Sequence, residues 1–149
     1  MNLEDQSIPK TLDEAVLTLE LFFLKSEDDG VAHWRALPVE QAVSQSHHAI
    51  GQTIRNLWLW QEDKPLRAWF IENHGIWHAD DMSSIILSYL HHRLNEQNYD
   101  LSAAVQYYKD FWAIQGVTGI PDDVLPRPKT ISRYDLLRKN DIIKDGEID

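Results

Sequence analysis

Thr11-Leu12-Asp13-Glu14 has the form of a capping box, in which the threonine hydroxyl and the glutamate carboxylate each satisfy a backbone N–H left free at a helix start. Apolar residues then recur every three or four positions, at Leu12, Ala15, Val16, Leu19, Phe22 and Phe23, with a second stripe at Leu17, Leu21 and Leu24. That period belongs to a helix, and a helix apolar over most of its circumference is expected in the middle of a bundle. The charged segment 25–30 ends it at Gly30.

The same period governs the rest of the body. Pro38 suits the first turn of a second helix, read over residues 38–60, and Pro65 opens a short third helix that Gly75 closes with a left-handed cap. Asp80 and Asp81 precede Met82, Ile85, Ile86, Tyr89, Leu90 and Leu94, an amphipathic fourth helix whose starting carboxylates complement its dipole. Leu101, Ala104, Val105, Tyr108, Phe111 and Trp112 make a fifth before Gly116. No segment alternates with the period of a strand. The expectation is an all-α, single-domain bundle of about five helices over residues 1–116. An extended, proline-containing tail over 117–149 either packs on that body or binds a partner, and Ser132 is placed to cap one further short helix over 132–139.

Composition excludes several classes of function. There are no cysteines, so disulfides and thiol catalysis are absent, and the chain suits a reducing compartment. The start MNLEDQSIPK is acidic where a secretory signal is basic and then apolar, and no apolar run reaches the roughly 18 residues of a membrane span. A cytoplasmic protein is expected, with no membrane partner. The formal net charge of -10 opposes phosphate-backbone binding, so no nucleic-acid partner is expected. The body holds 17 acids against 8 bases and the tail 7 against 6, which concentrates the negative charge on residues 1–116 and suits a basic protein partner.

Polar groups inside the second helix deserve scrutiny for chemistry. At about 100° per residue, His47 falls in the apolar stripe, whereas Ser44, His48, Gly51 and Arg55 line the adjacent flank. A buried arginine needs an anion, because an unpaired buried charge costs several kcal/mol. Asp80 and Asp81 are the nearest candidates by pattern, so a clasp between the second and fourth helices is expected, with His48, Arg55, Asn56, Asp80 and Asp81 as the candidate polar cluster.

A metal-dependent hydrolase would use His47 or His48 with His78 and Asp80 or Asp81. Spacing argues against it: there is no HExxH, and His74 and His78 straddle the helix-breaking Gly75. His91 and His92 read as surface residues. No phosphate loop, nucleophile elbow or activated serine is present, and no cofactor or catalytic residue is expected.

Trp58, Trp69 and Trp112 lie on helical apolar faces and read as core. Trp60 and Trp77 do not, and with the acids Glu27, Asp28, Asp29, Glu62 and Asp63 they are the candidate interface.

The blocks IPKTLDEAV, HHAIGQTIRNLWLW and GIWHADDMSSIIL resemble an uncharacterised bacterial family classed only as a domain of unknown function. Its pattern is P-K-x-L-x-E-A, then H-x-x-L-G-x-x-I-R-N-x-W-x-L-W, then D-D-x-S, and this chain is one residue shorter than the pattern between Trp58 and Trp60. Pro9, Lys10, Leu12, Glu14, Ala15, His47, Gly51, Ile54, Arg55, Asn56, Trp58, Asp80, Asp81 and Ser83 match it over residues 8–94, with Ile50 in place of the leucine. The resemblance implies a helical fold and a matched set of one arginine and two aspartates, and no reaction. The expected function is therefore a small acidic binding protein, of the kind that immunity proteins and antitoxins represent against a basic toxin enzyme. The alternative is the metal-dependent hydrolase.

Overall fold

A computed structural model describes residues 2–26 and 29–124. After a 3-10 turn at Leu3–Asp5, the chain forms α1 (Leu12–Leu24), α2 (Gly30–Ala36), α3 (Val39–Ser46) and α4 (Ile50–Ile54). A π-helical segment, Arg55–Leu59, follows, and then α5 (Pro65–His74), α6 (Ala79–Leu94) and α7 (Leu101–Ile114). The described residues are all-α, with no strand and with seven α-helices where the hydrophobic period predicts about five.

Both extra helices have a local cause. α2 buries no residue fully, so it leaves no periodic signal in the sequence. Polar contacts fix it: Trp34 Nε1 donates to the Ala42 carbonyl at 2.9 Å and to Ser46 Oγ at 2.6 Å, and Asn95 Nδ2 donates to the Arg35 carbonyl at 3.0 Å. The helix expected over 38–60 is not continuous. It stops at Ser46, where Oγ donates back to the Ala42 carbonyl at 2.7 Å, an arrangement that bends helices. It resumes at Ile50 after Ala49 takes φ -109° and ψ -107°. From Arg55 the pitch widens, with Trp60 N–H donating to the Arg55 carbonyl at 2.9 Å.

The middle of the bundle is α6, not α1. Met82, Ser83, Ile85, Ile86, Leu87, Leu90 and His91 are all buried, and the helix packs on α1, α3, α4, the π segment, α5 and α7. α1 buries only Leu12, Ala15, Val16 and Leu19, while its second stripe, Leu17, Leu21 and Leu24, faces solvent. His91 is likewise not a surface residue: it is 5% exposed, its Nε2 lies 2.9 Å from the Leu37 carbonyl, and its ring meets Trp34 edge-on. The α2–α3 corner closes over α6 there and desolvates it.

Local capping follows the residue chemistry. Thr11 Oγ1 accepts from Glu14 N–H, and Glu14 Oε2 accepts from Lys10 N–H. Gly75 ends α5 at φ 65°. His78, rather than an aspartate, caps α6 by accepting from Asp80 N–H at 3.1 Å. After α7 the chain turns back, and Arg67 Nη2 donates to the Val124 carbonyl at 3.2 Å. Glu27, Asp28 and the expected helix over 132–139 lie outside the described residues. Among those described, no helix is long and apolar enough to cross a membrane.

Candidate functional site

Arg55 is among the largest fully buried side chains, at 1% exposure. The break before α4 explains how a guanidinium fits there. It leaves the His47 carbonyl without a helical donor, and Arg55 Nη2 donates to that oxygen at 2.7 Å and to Gln52 Oε1 at 3.1 Å. Nη1 donates to Ser83 Oγ on α6 at 3.0 Å and lies 3.3 Å from His47 Nδ1, which accepts because a guanidinium has no acceptor. Nε sits 3.3 Å from Asp80 Oδ1, a charge pair without hydrogen-bond alignment. Gly51 makes the close approach feasible: a Cβ there would come within 3.0 Å of the Ser46 carbonyl and 3.1 Å of Nη1.

The candidate cluster therefore divides. Arg55 and Asp80 are together. His48 is exposed and touches the cluster only through its ring contact with His47, and exposed Asn56 accepts from Gln52 Nε2. Asp81 turns the other way, because neighbours on a helix diverge by about 100°. Its Oδ2 accepts from Trp112 Nε1 on α7 at 2.8 Å. Burial raises the Asp81 pKa above the ordinary carboxylate value, and the Trp112 hydrogen bond only partly offsets this.

Asp81 stands in a groove of about 580 Å³ between the 75–81 segment and α7. Trp77 and Trp112 wall it, with ring centroids 4.6 Å apart, and His78 stacks on Trp112 at 5.5 Å and 25°. Tyr108 also lines it, and burial pushes its phenol up to about 12 against the lowering effect of a hydrogen bond with Ser84. Helical spacing places Trp112 on an apolar face and leaves Trp77 in a loop, which assigns one to the core and the other to an interface. Both are half-buried, and no pattern within either segment announces a contact between positions 77 and 112.

The remaining candidates are scattered. Trp60 is 46% exposed, with Glu62 and Asp63 exposed just beyond it, and Asp29 is exposed at the start of α2. Of the histidines proposed for a metal, His47 is committed to Arg55 and His78 to the cap of α6, while His48 is exposed. Among the described residues, no group of three or more His, Asp or Glu side chains could hold a metal ion.

A family model described as a domain of unknown function (DUF6794) matches residues 8–94, a span that ends with α6 and leaves α7 outside. No curated protein and no solved structure matches the chain.

Proposed function

Because the chain belongs to the DUF6794 family of domains of unknown function, we propose its role from surface and charge: a non-catalytic binding protein that engages a basic protein partner, in the manner of an immunity protein or antitoxin. One observation carries this reading. Two helices present apolar side chains to solvent at i, i+4 and i+7: Leu17, Leu21 and Leu24 on α1, at 46%, 46% and 68% exposure, and Tyr107, Phe111 and Ile114 on α7, at 64%, 44% and 83%. Exposed apolar faces rimmed by charge mark association surfaces. Exposed Asp13 and Glu14 precede the first stripe and exposed Asp110 adjoins the second, so the complementary surface is basic and apolar. The internal placement of Arg55 supports the same reading, since that cation is enclosed by its own chain. No observation favours the metal-dependent hydrolase.

The test is capture by the immobilised full chain from a lysate of its source, repeated with the double variants L21E/L24E and F111E/I114E. The expected result is one basic protein retained, released by salt and lost with at least one double variant. Retention indifferent to salt and to both variants would overturn the proposal. So would a dimer of the purified protein dissociated by either variant, since the stripes would then cover each other.

A further inference from the structure

The groove beside α7 carries chemistry that a protein-docking surface does not require. Asp81 is a half-buried carboxylate fixed by one hydrogen bond through Oδ2, and among the described residues it has no ion pair. His78 attracts the carboxylate through charge without forming an ion pair with it, and Lys109 on the rim does not serve it. The Lys109 stem lies across Gly75, with Cε 3.5 Å from where a glycine-to-alanine Cβ would sit, and its ammonium is not within 4.0 Å of Asp81. Asp110, on the same rim, accepts from Gln106 Nε2 at 2.8 Å and adds a second negative charge. Around Asp81 the walls are aromatic: Trp77, Trp112, which meets the carboxylate through its N–H edge, and Tyr108.

We infer that this groove is a binding site for a small organic cation, an ammonium or guanidinium group placed against the Asp81 carboxylate and the tryptophan rings, with its apolar body filling the remaining space. Charge and shape select that class. An anion would meet Asp81 and Asp110. A divalent metal needs several oxygen or nitrogen ligands, and the described residues hold no such group. A neutral apolar guest would deepen the desolvation of Asp81 without compensating it. A cation satisfies the carboxylate and, where it lies over an aromatic ring, gains a further attraction. The groove's about 580 Å³ lies within the size range of small-molecule sites. This inference is independent of the protein partner proposed above.

The experiment titrates the full-length protein with 2-phenylethylamine, protonated at neutral pH, and with the neutral 2-phenylethanol, following tryptophan fluorescence and the indole N–H signals in 15N-resolved NMR. The amine is expected to shift the Trp77 and Trp112 indole signals and to bind at least about tenfold more tightly than the alcohol, since one charge-assisted contact is worth about a factor of ten or more. Asp81→Asn keeps an acceptor for Trp112, which the retained position of that indole signal verifies, and is expected to weaken the amine about tenfold while leaving the alcohol unchanged. Trp77→Leu is expected to weaken the amine with folding intact. Equal affinity for amine and alcohol, an unchanged affinity in Asp81→Asn, or the absence of binding by 2-phenylethylamine, benzyltrimethylammonium and arginine amide alike would overturn the inference.

Discussion

Arg55 Nε and Asp80 Oδ1, 3.3 Å apart, join the π segment to the first turn of α6 as an unequal pair, the arginine side chain 1% exposed and the aspartate 43%. The cation is held by the interior and the anion stands at the surface, so the two partners contribute differently to stability. Removing Arg55 takes the donor from the part-buried His47 carbonyl and Gln52 Oε1 and from buried Ser83 Oγ, which keeps its bond to the Asp80 carbonyl. Each unsatisfied group costs about 1–3 kcal/mol.

Arg55→Met is therefore expected to lower stability by about 3 kcal/mol or more, whereas Asp80→Asn, at a position water already reaches, is expected to cost about 1 kcal/mol. Urea denaturation of both variants measures this. Equal losses would mean that the ion pair, and not the hydrogen bonds to His47, α4 and α6, anchors the guanidinium.

Gly51 and Gly75 are glycine for different reasons, and alanine separates them. At Gly75 the backbone is left-handed, φ 65°, with only ordinary contacts to Lys109, so Gly75→Ala is expected to cost about 1 kcal/mol of backbone strain. At Gly51 the helix is regular, but the new Cβ meets a backbone carbonyl at 3.0 Å and Arg55 Nη1 at 3.1 Å. Gly51→Ala is expected to cost about 1–3 kcal/mol through overpacking and to couple with Arg55→Met in a double-mutant cycle. Additive losses would contradict the contact.

Trp34 ties α2 to α3 through its indole N–H, beside the bond from Asn95 Nδ2 to the Arg35 carbonyl that links α2 to the end of α6. Trp34→Phe keeps the ring contact with His91 and removes the donor to Ala42 and Ser46. The expected loss is about 1–2 kcal/mol, with faster amide hydrogen exchange in α2 and α3 and unchanged protection in α6. Exchange that rises evenly in all helices would show that α2 does not open on its own.

Asp81 sets a pH dependence with a definite sign. Its folded pKa is raised by burial, so the native state binds the proton more tightly than the unfolded chain does, and stability contributed by the protonated form is lost as pH rises from the ordinary carboxylate value of 3.8 through the raised one. Asp81→Asn removes that titration. The stability difference between variant and wild type is expected to stay flat below the ordinary carboxylate value, to grow in favour of the variant through the window above it, and to level off once the folded carboxyl has ionised. Thermal melts at stepped pH check this, and a difference that shrinks with rising pH would mean the carboxylate is stabilised by a cation in the native protein.

Much of the helical content is legible in the sequence. Thr11 and Glu14 capping α1, Pro65 opening α5, Gly75 closing it and the acids heading α6 all act within one helical turn, so the residue types suffice to identify them. What escaped was what neighbouring turns do not encode. His91 read as a surface residue because its own helix says nothing of α2 and α3 closing over it. The 38–60 stretch read as one helix because its apolar spacing runs through the break, whose causes are a serine bonding back to Ala42 and an arginine that caps the exposed carbonyl from eight residues downstream. Asp80 and Asp81 were both legible as partners for Arg55, but which of them faces it depends on the rotation of α6 in the bundle.

Period, caps and turns thus belonged to the chain's local chemistry, where a hydrogen bond spans three or four residues and a side chain's angular position follows from its number. The identity of the central helix, the orientation of the two aspartates and the aromatic groove between residues 77 and 112 belonged to the packing. They depend on contacts between segments whose separation along the chain places no constraint on distance until the apolar surfaces of α1, α5 and α7 have been buried against α6.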